Sequence, residues 1–316
     1  MRPWVSPIAL MVSVAFPAVA APQQAATAEK VIEIDTLDVR DTLYHLSGGG
    51  GNAMALIDEI NGGVVLIDTK LEGWGEAVME MVAAVTHLSV TTIINTHAGE
   101  DHAGANAEFP EVSQIVAHEN TRAHMTRMAA YSGERASGLP TSTVTEHFSL
   151  LEDLDRIELY YFGPAHTDGD LVVVFPQKRV AYLGELFPDK RTPVIDTARG
   201  GSGVSFPATL LKVVAAIDNV DRVITGHGPF PTTYAGRGRR ERGAARPWSG
   251  WMTWTDLAEY ADFNQAFLTA VQAAHREGLS AEQAASSLAM PERFEEYGME
   301  HARANVGAIY EELAAR

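Results

Sequence analysis

The chain has 316 residues, 46% of them hydrophobic, with 24 Lys+Arg against 41 Asp+Glu and a formal net charge of −17. That length suits one large domain, or one domain with an extension. An acidic surface repels nucleic acid and anionic lipid, so both are disfavoured as partners. There is no cysteine, which excludes disulfides, thiolate metal ligands and a lipidated N-terminal cysteine.

The N-terminus reads "MRPWVSPIALMVSVAFPAVAAPQQ". Arg2 gives it a positive start, Ile8 to Phe16 is a short apolar stretch, and Ala18-Val19-Ala20 is a small-residue cleavage pattern. Residues 1–20 are therefore expected to be a signal peptide, cut after Ala20, and the mature protein to be periplasmic or secreted. The apolar run is well short of the roughly 20 residues of a membrane span, so no membrane association is expected once it is removed. Residues 21–30, "APQQAATAEK", read as a flexible leader.

From Val31 onward, short β-branched runs alternate with glycine-rich turns. "NAMALI", "GVVLID", "VTTIIN", "SQIVA", "RIELYYF", "LVVVF", "RVAYL" and "RVITG" are expected strands. Gly75 to Thr86, Asn120 to Ala130 and Phe206 to Asn219 carry apolar residues at helical spacing. Strand pairs without an intervening helix, at Asn52–Asp68 and Arg156–Gly184, argue against a purely doubly wound parallel sheet. The expected class is α+β, with two mixed sheets packed face to face and helices outside. This first domain spans residues 31–235. "GRGRRERGAARPW" marks a basic linker at 236–247, and its arginines on an acidic chain read as a solvated loop. Residues 248–316 form an expected helical extension, with a capping box at Ser280 and Gln283 before "AASSLAM". Trp248, Trp251 and Trp254 are expected to pack rather than to line a substrate groove.

The apolar strands share a habit: they end in a histidine or a carboxylate. "VVLID" ends at Asp68, "TIINTH" at His97, "LYYFGPAH" at His166, "VAYLGE" at Glu185 and "VITGH" at His227. With Asp101 and His102, these residue types suit a zinc-like ion, which takes neutral imidazole and carboxylate oxygen where cysteine is absent. Glycines beside them let the backbone turn sharply or approach closely. The run "HLSGGGGNA" lacks the Lys-Ser/Thr of a phosphate loop and reads as a hairpin tip.

The motifs "THAGEDH", "GPAHTDGD", "YLGELF" and "ITGHGP", with "GVVLIDT" before them, together resemble the metallo-β-lactamase-fold hydrolases over residues 30 to 235. The resemblance implies an αββα four-layer sandwich, here with a C-terminal helical extension. It implies that His97 and His166 belong to a first metal site, and that Asp101, His102 and His227 hold a second. It places Glu185 where the family uses a bridging Asp or a Cys. Asp68 then supports the ligands from behind, while Thr167 and Asp170 support the loop carrying His166. Gly99 stands where the family's second histidine of the motif would be, so the first site lacks a ligand. Glu100 beside it is a possible substitute, disfavoured because adjacent side chains usually point apart.

The expectation is one tightly bound zinc and a second that is weak or absent. A zinc ion lowers the pKa of its water toward about 7, and the implied reaction is hydroxide attack on a small-molecule ester, amide (a β-lactam among them) or thioester, with Asp101 orienting the water. Lys190 and Arg191, soon after the Glu185 strand, are candidates for a substrate carboxylate. A glyoxalase II-like thioesterase is the nearest rival, and export argues against its cytosolic substrate. A rival of another class is a metal-binding protein that lost catalysis through Gly99. His45, His87, His118, His124, His147, His275 and His301 match no ligand position and read as structural or surface residues.

Overall fold

The computed structural model describes residues 32–37, 42–228 and 252–315. The expected signal peptide, leader and basic linker, with Trp248 and Trp251, lie outside these. The first sheet has seven strands in chain order: β1 (Glu33–Thr36), β2 (Leu43–Ser47), β3 (Ala53–Asp58), β4 (Gly63–Ile67), β5 (Val90–Ile94), β6 (Gln114–His118) and β7 (Ser142–Val144). The second begins with β8 (His147–Leu150), β9 (Ile157–Tyr161), β10 (Leu171–Phe175), β11 (Val180–Tyr182) and β12 (Arg222–Ile224), arranged β12-β11-β10-β9-β8.

Both sheets are mixed. Strands β1 to β4 run antiparallel through hairpins. Strands β4 to β7 are parallel, and their crossovers carry α1 (Gly75–Ala83), α2 (Glu100–Ala103) and α3 (Glu119–Met125). In the second sheet only β11 and β12 are parallel, joined through α4 (Phe206–Ala216). The inner faces meet in one core: Leu56, Ile67 and Ile94 from the first sheet pack with Leu159, Val173 and Tyr182 from the second. On the outer face of the first sheet, Leu66 and Ile93 meet Val78 and Val82 of α1. The expected four-layer sandwich is therefore the observed one. Strands β3, β4 and β10 are buried along their whole length, which is why they read as continuous apolar runs rather than alternating ones.

The extension comprises α5 (Trp254–Arg276), α6 (Ala281–Ser287) and α7 (Ala302–Ala314). Helix α5 starts at a capping box of Thr253 and Asp256, and α6 at the expected box of Ser280 and Gln283. Leu257, Tyr260 and Phe263 of α5 share a single buried cluster with Phe206 and Leu210 of α4 and with Val172, Val174 and Val223 of the sheet. Helix α5 thus forms part of the fourth layer, with Trp254 packed against that cluster, while Ala284 of α6 and Val306 and Ile309 of α7 join Phe267 and Val271 of α5 in a separate cluster.

Strands β1, β2, β7 and β8 were not expected from the sequence. Three of them lie at sheet edges, where strands are short and carry polar residues; three of the four residues of β8 are exposed. Strand β2 hides His45 within its apolar run. Among the described residues, no helix is long and apolar enough to cross a membrane.

Candidate metal centre

Parallel neighbours deliver their C-terminal ends to one place. Strand β4 runs into Asp68 and β5 into Thr96 and His97, while β11 leads to Glu185 and β12 to His227. The two parallel pairs belong to different sheets, so the residues meet at one end of the sandwich.

Asp68 anchors the group. It is fully buried, and its carboxylate accepts from the Thr96 backbone N–H and hydroxyl, both at 2.8 Å, and from the Tyr182 hydroxyl at 3.0 Å. It lies 2.8 Å from His102 Nδ1. A carboxylate only accepts here, so His102 carries its proton on Nδ1 and turns Nε2 toward the cleft. The single Thr96 proton goes to Asp68, so His97 Nδ1, 3.0 Å from that hydroxyl, donates to it and leaves Nε2 as a lone pair. His166 Nδ1 donates to the Val194 carbonyl at 2.8 Å.

Around the cleft, His227 Nε2 lies 2.8 Å from Glu185 Oε1 and 3.1 Å from Asp101 Oδ2. His102 Nε2 lies 3.4 Å from Glu185 Oε1 and 3.9 Å from Asp101 Oδ2. The His97 ring centroid is 4.6 Å from that of His102 and 4.8 Å from that of His166. Among the described residues, two sets of donor atoms are spaced to share an ion: His97, Asp101 and His102, and His102, Glu185 and His227. His166 belongs to neither set and instead lines the wall of the same cleft.

Electrostatics are those of a cation site filled by protons. Burial works against a charged His102, but the Asp68 carboxylate overrides it and lifts the ring to about 10. Burial also opposes charge on His227, which the adjacent carboxylates of Asp101 and Glu185 lift to about 9. Burial disfavours ionised Glu185, yet the His102 and His227 rings beside it hold it well below the usual carboxylate range. His97 goes the other way: burial, then the neighbouring His102 and His166, push it well below an ordinary imidazole.

The glycines of the centre stand where side chains would collide with its ligands. A Cβ on Gly51 would fall 2.1 Å from His102 Nε2. A Cβ on Gly99 would fall 2.4 Å from His97 Nε2 and 3.0 Å from Asp101 Oδ1. The position is therefore not an open gap. The His97 ring occupies it, as close-packed interiors require of an adjacent side chain.

A metal ion fits these residues. His102 Nε2 and Glu185 Oε1 are buried and stand close to each other and to His227 Nε2, but none of these contacts is aligned as a hydrogen bond, which is costly unless something else satisfies them. Both face the donor cluster of imidazole nitrogens and carboxylate oxygens, a set suited to zinc.

The other expected residues divide. The Asp170 carboxylate accepts from the Thr167 backbone at 2.8 Å and from its hydroxyl at 2.5 Å, bracing the loop after His166. Burial raises Asp170 to about 6, more than its bonds to Thr167 lower it. Lys190 is drawn away from the cleft by Asp256 at 3.0 Å and Glu259 at 3.4 Å on α5, while Arg191 lines a cavity beside it. Glu100 lines the cleft but belongs to neither donor set. Three residues gave no sequence signal: Tyr182, which holds Asp68, and Asp196 and Arg199, which line the cleft as an ion pair. Of the unmatched histidines, His118 stacks on Tyr161, and His124 and His147 pair with Asp168 and Glu158. His301 is different, for it lines the cavity beside Arg191.

The four-layer αββα sandwich thus gathers imidazoles and carboxylates at one end, a donor set suited to a metal ion. The chain belongs to the metallo-beta-lactamase superfamily, whose sequence model matches residues 47–227. It is 31% identical over 156 residues to the alpha subunit of 2,4-dinitroanisole O-demethylase from Nocardioides sp. (strain JS1661), a match covering 48% of this chain and 45% of that relative. The chain thus spans less than half of the demethylase subunit's length. It is 23% identical over 233 residues to a type 2 metallo-beta-lactamase of Bacteroides fragilis, covering 71% of this chain and 90% of the relative. In structure it resembles a stereoselective inverting sec-alkylsulfatase from Pseudomonas sp., with a TM-score of 0.64 and 15% identity over 90% of this chain and 50% of the other.

Proposed function

We propose that this protein is an exported, zinc-dependent hydrolase of a small-molecule ester, amide or thioester, with one tightly held ion and a second that is weak or absent. Two buried atoms, His102 Nε2 and Glu185 Oε1, crowded against each other and against His227 Nε2 without an aligned hydrogen bond and facing a cluster of nitrogen and oxygen donors, carry this reading. Asp101, His102, Glu185 and His227 would hold the ion, with His97 leaning toward them through the space at Gly99. His166, bonded through Nδ1 to Val194, is left with too few neighbours for a strong second site. Export rests on the sequence of residues 1–20.

When bound, the ion supplies Lewis acidity and lowers the pKa of water at the site toward about 7. The protein's own groups do the rest. Asp68 fixes the direction of His102. Asp101, whose side chain is 36% exposed, borders the cleft and orients the attacking water. The cleft, about 410 Å³ in volume, has the size of a small-molecule site. The name of the Bacteroides fragilis relative supports a β-lactam among the candidate substrates, and that of the alkylsulfatase adds sulfate esters.

The test joins elemental analysis of dialysed mature protein to a hydrolysis panel: a chromogenic β-lactam, a glutathione thioester, a carboxylic ester and a sulfate ester. One ion per chain and turnover of at least one substrate are expected, with turnover lost in Asp101→Ala while the fold is kept. Two tightly held ions would refute the stoichiometry, and near-normal turnover in Asp101→Ala would refute the role of Asp101. Bound metal without turnover of any substrate would favour a binding protein.

A further inference from the structure

One wall of the cleft is a long irregular segment. Between Phe187 and Ser205 the chain carries a single short turn of helix, Thr197–Arg199, and Val194, Asp196 and Arg199 of this segment line the cleft. A stretch of that length without strands or helices of its own must find partners for its backbone elsewhere.

Those partners lie on two sides. On one side is the loop of His166. The Val194 carbonyl accepts from His166 Nδ1 at 2.8 Å. The Asp196 N–H donates to the His166 carbonyl at 2.9 Å, and the Ser202 N–H to the Ala165 carbonyl at 2.9 Å. On the other side is the helical extension. The Thr192 N–H donates to the Gly298 carbonyl at 2.7 Å, and the His301 N–H donates to the Thr192 hydroxyl at 3.0 Å. Asn305 of α7 is 3% exposed and donates through Nδ2 to the Pro193 carbonyl at 2.8 Å. Glu312, about two turns further along α7, accepts from the Gly203 N–H at 2.7 Å and from the Ser202 hydroxyl at 2.5 Å.

The carbonyl held by α7 and the carbonyl that holds His166 are therefore consecutive. Pro193 has a fixed φ and confines Thr192 to extended backbone, so the peptide planes from Thr192 to Val194 turn together. Fixing the Pro193 carbonyl fixes the direction of the Val194 carbonyl, and with it the His166 ring. Donation from Nδ1 leaves Nε2 with its lone pair, and the ring stands edge-on to His97 at 4.8 Å. His166 belongs to neither donor set, so its direction depends on this wall.

We propose that α7 is a part of the metal centre: Asn305 is a positioning residue that sets the His166 ring through the Pro193–Val194 peptide, and Glu312 anchors the far end of the same segment. The consequence for turnover rests on the hydrolase reading above; the direction of the ring does not.

The test removes the donor and follows the ring. Long-range proton–nitrogen correlation spectra of the zinc-loaded protein should show His166, assigned by its loss in His166→Gln, with a proton on Nδ1 that exchanges slowly with water. Asn305→Leu, close in volume, should lose that proton signal. Its kcat on any substrate turned over by the wild type should fall about tenfold to a hundredfold, the range for groups that orient a ligand from behind, while the tightly held ion stays bound. Val306→Ala empties space in the buried cluster on the same helix. It should lower the melting temperature yet keep both the signal and the turnover. Glu312→Ala should act in the direction of Asn305→Leu. An unchanged His166 signal in Asn305→Leu, or equal losses in Val306→Ala, overturns the proposal. If the wild type turns over no substrate, the hydrolase reading is what fails, and the ring signal alone decides. A signal lost in Asn305→Leu and kept in Val306→Ala then supports the role of α7, and any other pattern overturns it. Should Asn305→Leu fail to fold, Glu312→Ala carries the same comparison.

Discussion

His97 Nε2 lies 2.4 Å from the point that a Cβ on Gly99 would occupy. The ring has taken the space of the absent side chain, and in doing so stands beside Asp101 and His102. Putting a histidine back at position 99 must then push His97 out before any second site can form. Gly99→His is expected to lose about 1–3 kcal/mol of stability, the usual cost of overpacking, and to hold no more than the single ion of the wild type. Thermal melts and elemental analysis after dialysis check this; a variant as stable as wild type with two retained ions would contradict it.

Asp68 sits at φ 60°, a left-handed backbone that asparagine tolerates well. Asp68→Asn therefore changes the charge with little effect on the backbone. It removes the carboxylate that holds His102 by Nδ1 and accepts from Thr96 and Tyr182. Metal affinity should fall about 10–100-fold, as for other groups that orient a ligand from behind. Competition against a chromogenic chelator measures it, and an unchanged affinity would count against the tautomer assigned to His102.

Lys70 is completely buried and ties the glycine loop to the strand end, donating to the carbonyls of Leu46 at 2.7 Å and Gly51 at 2.6 Å. Burial lowers its pKa from 10.5 to about 7, although Asp68 and Asp101 pull the other way. Between those values the unfolded chain binds more protons than the folded one. The contribution of Lys70 to stability is then fully present above 10.5 and is lost as pH falls through about 7. Relative to Lys70→Met, the wild type should gain up to about 1.4 kcal/mol per pH unit across this window. Urea unfolding of both proteins at several pH values reads the difference, and parallel curves would refute it.

Phe263 of α5 stacks on Tyr297 at 4.3 Å and meets Phe294 at 5.5 Å, inside the cluster that also holds Val172 and Val223 of the second sheet. Phe263→Ala should cost about 3–5 kcal/mol. Because extension and sheet share this core, the melt should remain one transition at a lower temperature. Two separate transitions would show that the extension unfolds alone.

By itself the sequence determined the layers and the residue types carried at the strand ends. Both are local properties: apolar runs of strand length set β4, β5 and β10, and a histidine or carboxylate just past such a run is carried to the strand end whatever else the chain does. Only the tertiary structure decided which of these groups stand together. Gly99 reads in sequence as a missing ligand, and only packing shows His97 filling its place and His166 left aside. Lys190 and Arg191 are indistinguishable as neighbours in the chain, and Asp256 and Glu259 on a distant helix turn one away and leave the other in the wall of the cavity beside the cleft. His301, nearly 120 residues after Glu185, has no motif at all. The reach of a long side chain and the partner of a buried ring depend on distances across the fold, and residue spacing along the chain carries no record of those.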